Sequence, residues 1–214
     1  MDYSILLKGG WLMLPILITS LISVVVIFDR FIVIKKSKVK PVFMMKIKSL
    51  LKRGDVQGAI ELCLEKKTPA SNMVRKGLKK YKLGHKRVRE AIENAGRQEV
   101  NKLEKGLGLL ATISGVAPLL GFLGTVTGMI QAFMRIQDLQ GSANPSDLAG
   151  GIWEALMTTA FGLAVGIVAY AFYNYLVSGI KKIVFDMEII STDVVDTIEE
   201  ASRGTVEDND IEFD

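Results

Sequence analysis

A run of 29 residues without a formal charge, residues 106–134, limits the folds open to this chain more than any other feature. An α-helix crosses the ~30 Å hydrocarbon layer of a bilayer with ~20 apolar residues, so the run predicts a transmembrane helix. A simple anchor gains nothing from glycine, proline or hydroxyl groups, because the first two weaken helices and lipid solvates hydroxyls poorly. This run nevertheless contains Thr112, Ser114, Gly115, Pro118, Gly121, Gly124, Thr125, Thr127 and Gly128.

Several of these residues share one face of the predicted helix. At ~100° per residue, Pro118, Gly121, Thr125, Gly128 and Ala132 fall within ~80° of one another. Lipid tails provide no hydrophobic drive for helix pairing, so helices associate in membranes by close packing, which small residues four apart permit. The sequence therefore predicts a tight helix contact along this stripe, with Gly124 beside it, and an ordinary glycine-type interface is the simplest interpretation.

Two more apolar runs complete a predicted all-α integral membrane protein with three transmembrane helices. The predicted regions are a periplasmic N-terminus and first span (residues 1–34), a basic cytoplasmic helical region (35–105), a second span (106–134), a periplasmic loop (135–148), a third span (149–180), and a cytoplasmic C-terminal helix with an acidic tail (181–214). The second span is predicted to be the outer part of one long helix starting near Arg87. The tail after Gly204 is predicted to be unfolded.

The charge distribution sets the predicted orientation. Of 27 Lys and Arg residues, 21 lie between Lys35 and Lys105, directly after the first span. The positive-inside rule explains this block without nucleic acid, which would also need stacking aromatics that the block nearly lacks. One cysteine and one histidine argue against a disulfide or a multi-histidine metal site, and no cofactor is predicted. Cys63 lies in an apolar-periodic helix and is interpreted as a packing residue.

The third span carries the polar residues of most interest. Glu154 is its one charge, and Thr158, Thr159, Gly162 and Gly166 follow, of which the two glycines are predicted to pack against another helix. A charge inside a span costs ~3 kcal/mol or more at the bilayer centre, so Glu154 either extends to the outer interface or serves a function. Because the spans hold no second deep acid, a titratable group for any ion pathway is predicted to come from a partner helix, with Thr125 and Thr159 offering hydroxyls to it.

Two motifs together resemble a known family. Residues 116–128 read VAPLLGFLGTVTG, and residues 151–163 read GIWEALMTTAFGL. These motifs are similar to those of the ExbB/TolQ family, relatives of the flagellar stator protein MotA, and three predicted spans favour ExbB/TolQ over the four-span MotA. The resemblance implies a bacterial inner-membrane homopentamer around an ExbD/TolR-like dimer, whose intramembrane aspartate carries protons to energise a TonB- or TolA-like protein. It also implies that Thr125 and Thr159 line the pore and that Glu154 corresponds to the family's third-span glutamate in the ion pathway. Thr158 departs from the family, in which many relatives carry alanine, and is predicted to belong to the ion pathway because it shares a helix face with Glu154.

Two hypotheses follow from the sequence. In the first, the chain is a stator-like subunit of a motor driven by proton-motive force. In the second, it is a structural membrane scaffold without its own ion pathway. An enzyme is disfavoured, because no nucleophile and base, phosphate-binding glycine loop or metal cluster can be recognised in the sequence.

Overall fold

The computed structural model describes residues 10–139 and 145–210, with backbone alone at 145, 147 and 202–210. In these ranges the chain is helical, with short turns between the helices. The helices are α1 (Met13–Ser37), α2 (Pro41–Lys52), α3 (Val56–Lys66), α4 (Pro69–Leu78), α5 (His85–Glu104), α6 (Leu107–Asp138) and α7 (Pro145–Asp210), with a 3-10 turn at Tyr81–Leu83.

Three helical segments are long and apolar enough to cross a membrane, by length and composition. They lie within Met13–Ser37, His85–Asp138 and Leu148–Ala201. The prediction of an all-α membrane protein with three spans is therefore confirmed. The chain divides into two compact units: an apolar unit, Met1–Arg30 with Gly106–Val177, and a charged unit, Phe31–Lys105 with Ser178–Asp214.

The predicted single helix from Arg87 through the second span is wrong, because the chain breaks at Lys105 and Gly106. Lys105 is extended at φ −53° and ψ 129°, and Gly106 is left-handed at φ 83°. Side chains with a Cβ rarely adopt that second conformation, so glycine allows the break at little cost. As a result, α5 and α6 are separate helices that meet where the two units join in the sequence.

The third span, by contrast, continues into one helix of 66 residues, α7. Its continuation into the charged unit buries Ile183, Met187, Ile190, Val194 and Ile198, which recur every three to four residues along one face, as the predicted C-terminal helix requires. The prediction of an unfolded tail after Gly204 is wrong as far as Asp210, because no proline interrupts the helix and one glycine costs only ~1 kcal/mol. Residues 211–214 lie outside the described residues.

In the charged unit, two short helices, α3 and α4, begin with a side-chain cap. Asp55 accepts a hydrogen bond from the Gly58 N–H at 2.8 Å at the start of α3. At the start of α4, Thr68 and Ser71 form a reciprocal capping box. The Lys48 Nζ lies 2.9 Å from the Asp193 carboxylate, linking α2 to α7 within this unit.

Arg30 is buried against protein at the end of the first span. The sequence predicts that the Asp29–Arg30 pair lies at the inner interface with Arg30 extending to the headgroups, and this stays a prediction. Within the chain Arg30 is 8% exposed, and its Nε donates to the Asp29 carboxylate at 2.9 Å. An adjacent carboxylate neutralises the guanidinium, which allows it to remain against protein.

Cys63 provides a test of packing in the charged unit. Burial raises the pKa of its thiol from an ordinary 9.0 to about 12, and the nearby Arg75 lowers it only in part. The thiolate is the reactive form, so we expect N-ethylmaleimide at pH 8 to modify the folded chain at least ~100 times more slowly than the unfolded chain. Because the folded state binds this proton more tightly, its contribution to stability is present below pH 9 and is lost between pH 9 and about 12. Equal modification rates for folded and unfolded chain would contradict this burial.

Candidate functional site

Helices α6 and α7 approach each other closely in the apolar unit, through residues without large side chains. An ideal Cβ added at Gly162 would lie 2.6 Å from the Ala117 carbonyl oxygen and 2.8 Å from the Gly121 Cα. One added at Gly121 would lie 3.0 Å from the Thr159 Cα. These neighbours are backbone atoms, so the helices meet backbone to backbone at this point.

The close approach extends along both helices in antiparallel register. From one end to the other, the contacts join Ala132 to Gly151, Gly128 to Ala155, Gly124 to Thr158, Gly121 to Gly162, and Pro118 to Gly166. From Ala132 to Pro118 the rise is ~21 Å, about two thirds of the hydrocarbon thickness. The structure thus places the six residues predicted for packing, Pro118, Gly121, Gly124, Gly128, Gly162 and Gly166, in one helix contact within the chain.

A hydrogen bond links the two helices at the centre of this contact. The Thr159 hydroxyl donates to the Gly121 carbonyl oxygen at 2.8 Å. That carbonyl is accessible to another helix because Gly121 has no side chain to cover it. Thr159 is half-buried, and its oxygen keeps lone pairs that can accept a bond from a further group.

Thr125 lies one helical turn along α6 from Gly121, a rise of ~6 Å. It is half-buried, and its hydroxyl donates to the Phe122 carbonyl of its own helix at 2.6 Å. The face of α6 that contacts α7 therefore passes through Gly124, and Thr125 borders it. The sequence placed Thr125 within the stripe.

Thr158 is in a different environment, since it is 1% exposed. Its hydroxyl donates to carbonyls of its own helix, Ala155 at 2.9 Å and Glu154 at 3.1 Å. Its Cβ lies 2.6 Å from the position that a Cβ on Gly124 would take. These contacts are those of a packing residue, and the assignment of Thr158 to an ion pathway stays a prediction.

Glu154 is half-buried near the start of the first span. A Cβ on Gly10 would overlap the Glu154 carboxylate, and Gly10 has a positive φ of 65°. The Gly10 carbonyl accepts the Met13 N–H at 3.2 Å as α1 begins. A carboxylate is favourable at this end of a helix, where unpaired N–H groups and the helix dipole are positive.

Sequence reasoning missed two residues of this region, Gly151 and Gly10, whereas it placed Ala155 on one face with Thr159, Gly162 and Gly166. Gly151 continues that small-residue spacing toward the start of α7, so the same pattern identifies it. Gly10 carried no such signal, because its role depends on a contact with a residue 144 positions away. Within residues 10–139, 146 and 148–201, no group of three or more His, Cys, Asp or Glu is placed to hold a metal ion.

Three apolar helical spans and a close-packed pair with an interhelical threonine bond define a multispan helical membrane protein. Residues 65–189, more than half of the chain, match the MotA/TolQ/ExbB proton channel family. The chain belongs to this family, which is a family of channel and transport subunits.

Individual relatives support this family membership. An ExbB-like biopolymer transport protein of Synechocystis sp. is 33% identical over 184 residues, which cover 80% of this chain and 69% of the relative. The ExbB biopolymer transport protein of Xanthomonas campestris is 35% identical over 116 residues, 54% of this chain and 46% of the relative. An ExbB homologue of Methanothermobacter thermautotrophicus is 33% identical over 140 residues, 65% of this chain and 49% of the relative. The chain spans about half the length of the last two.

Proposed function

We propose that the chain is a stator-like subunit of an inner-membrane motor driven by proton-motive force. It assembles as a homopentamer around a dimeric ExbD/TolR-like partner with one span per copy, and energises a TonB- or TolA-like protein for outer-membrane transport or envelope maintenance. The Thr159 hydroxyl at the α6–α7 contact is the observation that carries the proposal, because it is a polar group that bonds from one helix to the other in the middle of the pair.

The surface of the spans supports an assembly. In the most apolar windows of the second and third spans, 28% of the residues are buried within the chain. Large side chains such as Leu119 and Phe122 remain more than 60% exposed. Lipid covers such side chains, but so do neighbouring subunits, and a ring needs both kinds of surface.

The proposed roles follow from the hydrogen bonds. Thr159 and Thr125 are half-buried and keep acceptor capacity, so they offer oxygen atoms to a protonated carboxyl group on a partner helix. The titratable group comes from the partner, since the apolar stretches 13–34, 106–134 and 149–180 carry only Glu154 and the paired Asp29 as acids. Moving one charge across ~100 mV supplies ~2.3 kcal/mol, enough to shift a helix interface.

The proposed orientation follows from the basic residues. Lys35 and Lys36 end α1, and Lys181 and Lys182 follow the apolar part of the third span. By the positive-inside rule both ends lie in the cytoplasm, which places the N-terminus in the periplasm and the C-terminus in the cytoplasm.

Native mass spectrometry of the chain, purified in mild detergent from its host's membranes, tests the proposal. We expect five copies holding a small single-span protein that has an aspartate in its span. A ring without such a companion, together with function that persists when an uncoupler collapses the ion gradient, would instead favour the structural scaffold.

Glu154→Ala gives a separate prediction. We expect activity driven by the proton gradient to fall severalfold, because the carboxylate beside Gly10 at the start of α1 is lost. Glu154→Gln keeps the size of the side chain and removes its charge, so it separates the contribution of the charge from that of packing. The measurement is energised transport by the host at matched protein abundance. Normal activity in Glu154→Ala would favour a side chain that simply extends to the interface.

A further inference from the structure

A small cavity in the charged unit is surrounded by lysines, just after the first span. Its volume is about 280 Å³, close to the ~300 Å³ at which the range of typical small-molecule sites begins. Four lysines line it, namely Lys38, Lys40, Lys46 and Lys66. Among the residues that line it there is no carboxylate, so the charge inside is of one sign.

Most of this charge is available to a ligand. Lys66 contacts the Glu65 carboxylate at 3.0 Å. Within the described part of the chain, Lys38, Lys40 and Lys46 have no carboxylate within 4.0 Å. Three like charges around one cavity repel one another, and an anion between them would relieve that repulsion.

The start of α2 adds to the attraction. Lys40 is its N-cap residue and makes no side-chain cap, and the first turn contains no acidic residue. Pro41 has no N–H and the Phe43 N–H donates to the Lys40 carbonyl at 2.9 Å, so this 12-residue helix contributes through its dipole, whose positive end lies at Lys40, a residue that lines the cavity. The lysines therefore favour an anion such as a phosphate group, and the dipole of α2 adds to their attraction.

Apolar residues indicate which phosphate. Val42, Phe43 and Leu62 line the cavity beside the lysines. Val42 is 52% exposed and Met45, on the same outer face of α2, is 63% exposed. Free phosphate gains no binding energy from apolar side chains. A helix that presents apolar side chains beside lysines is instead typical of the membrane interface. The cavity also begins four residues after Ile34, where the apolar part of α1 ends.

We propose that this cavity binds the phosphate headgroup of an anionic phospholipid from the adjacent leaflet, with its glycerol and first methylenes against Val42 and Leu62. The lysines and the start of α2 hold the phosphate. The site would fix the end of α1 and helix α2 at the membrane surface. It is separate from the threonines of the proposed ion pathway and does not depend on the motor proposal.

The test uses the full chain with its copurified partners, delipidated and returned to nanodiscs of phosphatidylcholine and phosphatidylglycerol, roughly four to one. Native mass spectrometry counts the phosphatidylglycerol retained. Removing two lysines, as in Lys40→Gln with Lys46→Gln, is expected to weaken retention about thirtyfold, since each lysine near a charged surface contributes about fivefold. The matched control is Lys79→Gln with Lys80→Gln, two exposed lysines outside the cavity, which should change little.

Two further arms distinguish the sources of phosphate. Val42→Gln should also weaken lipid retention, and excess inorganic phosphate should not displace the lipid. Full retention in the cavity variant, an equal loss in the control, or displacement by inorganic phosphate with Val42→Gln unchanged would each overturn the proposal.

Discussion

Replacing Gly162 with alanine is expected to separate α6 from α7 and to lower the thermal stability of the protein sharply. The new Cβ would lie 2.6 Å from the Ala117 carbonyl oxygen and 2.8 Å from the Gly121 Cα. No rotamer can relieve an overlap with backbone, so one of the helices must move, at a cost of about 3 kcal/mol. The movement also lengthens the bond from Thr159 to Gly121. Unfolding monitored in mild detergent should show a clear decrease in midpoint temperature.

Gly150→Ala and Gly115→Ala are the matched controls. They make the same change on the same two helices, at positions where a Cβ would have no other atom within 4 Å. Alanine favours a helix over glycine by up to ~1 kcal/mol, so these variants should be as stable as the parent or slightly more stable. If Gly162→Ala behaved like the controls, the helices would not be as close as their backbone distances indicate.

The sequence was sufficient to predict the helix contact, because membrane helices that pack closely need small residues at regular spacing. The spacing of Gly121, Gly128 and Gly162 follows directly from that requirement. Whether Thr125 or Gly124 faces the other helix was harder to predict. Helical periodicity assigns a face only to within about one residue, and a shift of that size exchanges Thr125 for Gly124.

Other features depend on contacts that a sequence pattern does not contain. The break at Gly106 is one, because a glycine inside a helical pattern is also compatible with a continuous helix, and only its left-handed φ of 83° shows the break. The position of Glu154 beside Gly10 is another. Periodicity placed Glu154 near the outer end of its span, but it cannot identify a neighbour on a different helix.

Replacing Thr159 with valine is expected to reduce energised function more than tenfold, while the protein remains folded and abundant. Valine has nearly the same shape, so packing along α7 is kept, but the donor to the Gly121 carbonyl and the free acceptor lone pairs are lost. One intramolecular hydrogen bond contributes only ~1 kcal/mol to stability, too little to remove a protein from the membrane. Thr159→Ser restores the hydroxyl and should recover most of the activity. The measurement is gradient-driven transport in cells that lack the chromosomal copy, with abundance determined in the same membranes.

Thr112→Val is the control for the chemistry of the substitution, because Thr112 is exposed and its hydroxyl donates only within its own helix, to Gly108 at 2.9 Å. Thr112→Val should leave transport unchanged.

Thr125→Val should resemble Thr159→Val, since both hydroxyls are proposed to face the partner's titratable group. Thr158→Val separates packing from ion transfer: a loss as severe as that of Thr159→Val would place Thr158 in the pathway, whereas a small loss of stability with active transport would leave it as a packing residue. Wild-type transport in both Thr125→Val and Thr159→Val would show that neither hydroxyl takes part in ion movement, and the close helix pair would then be structural alone.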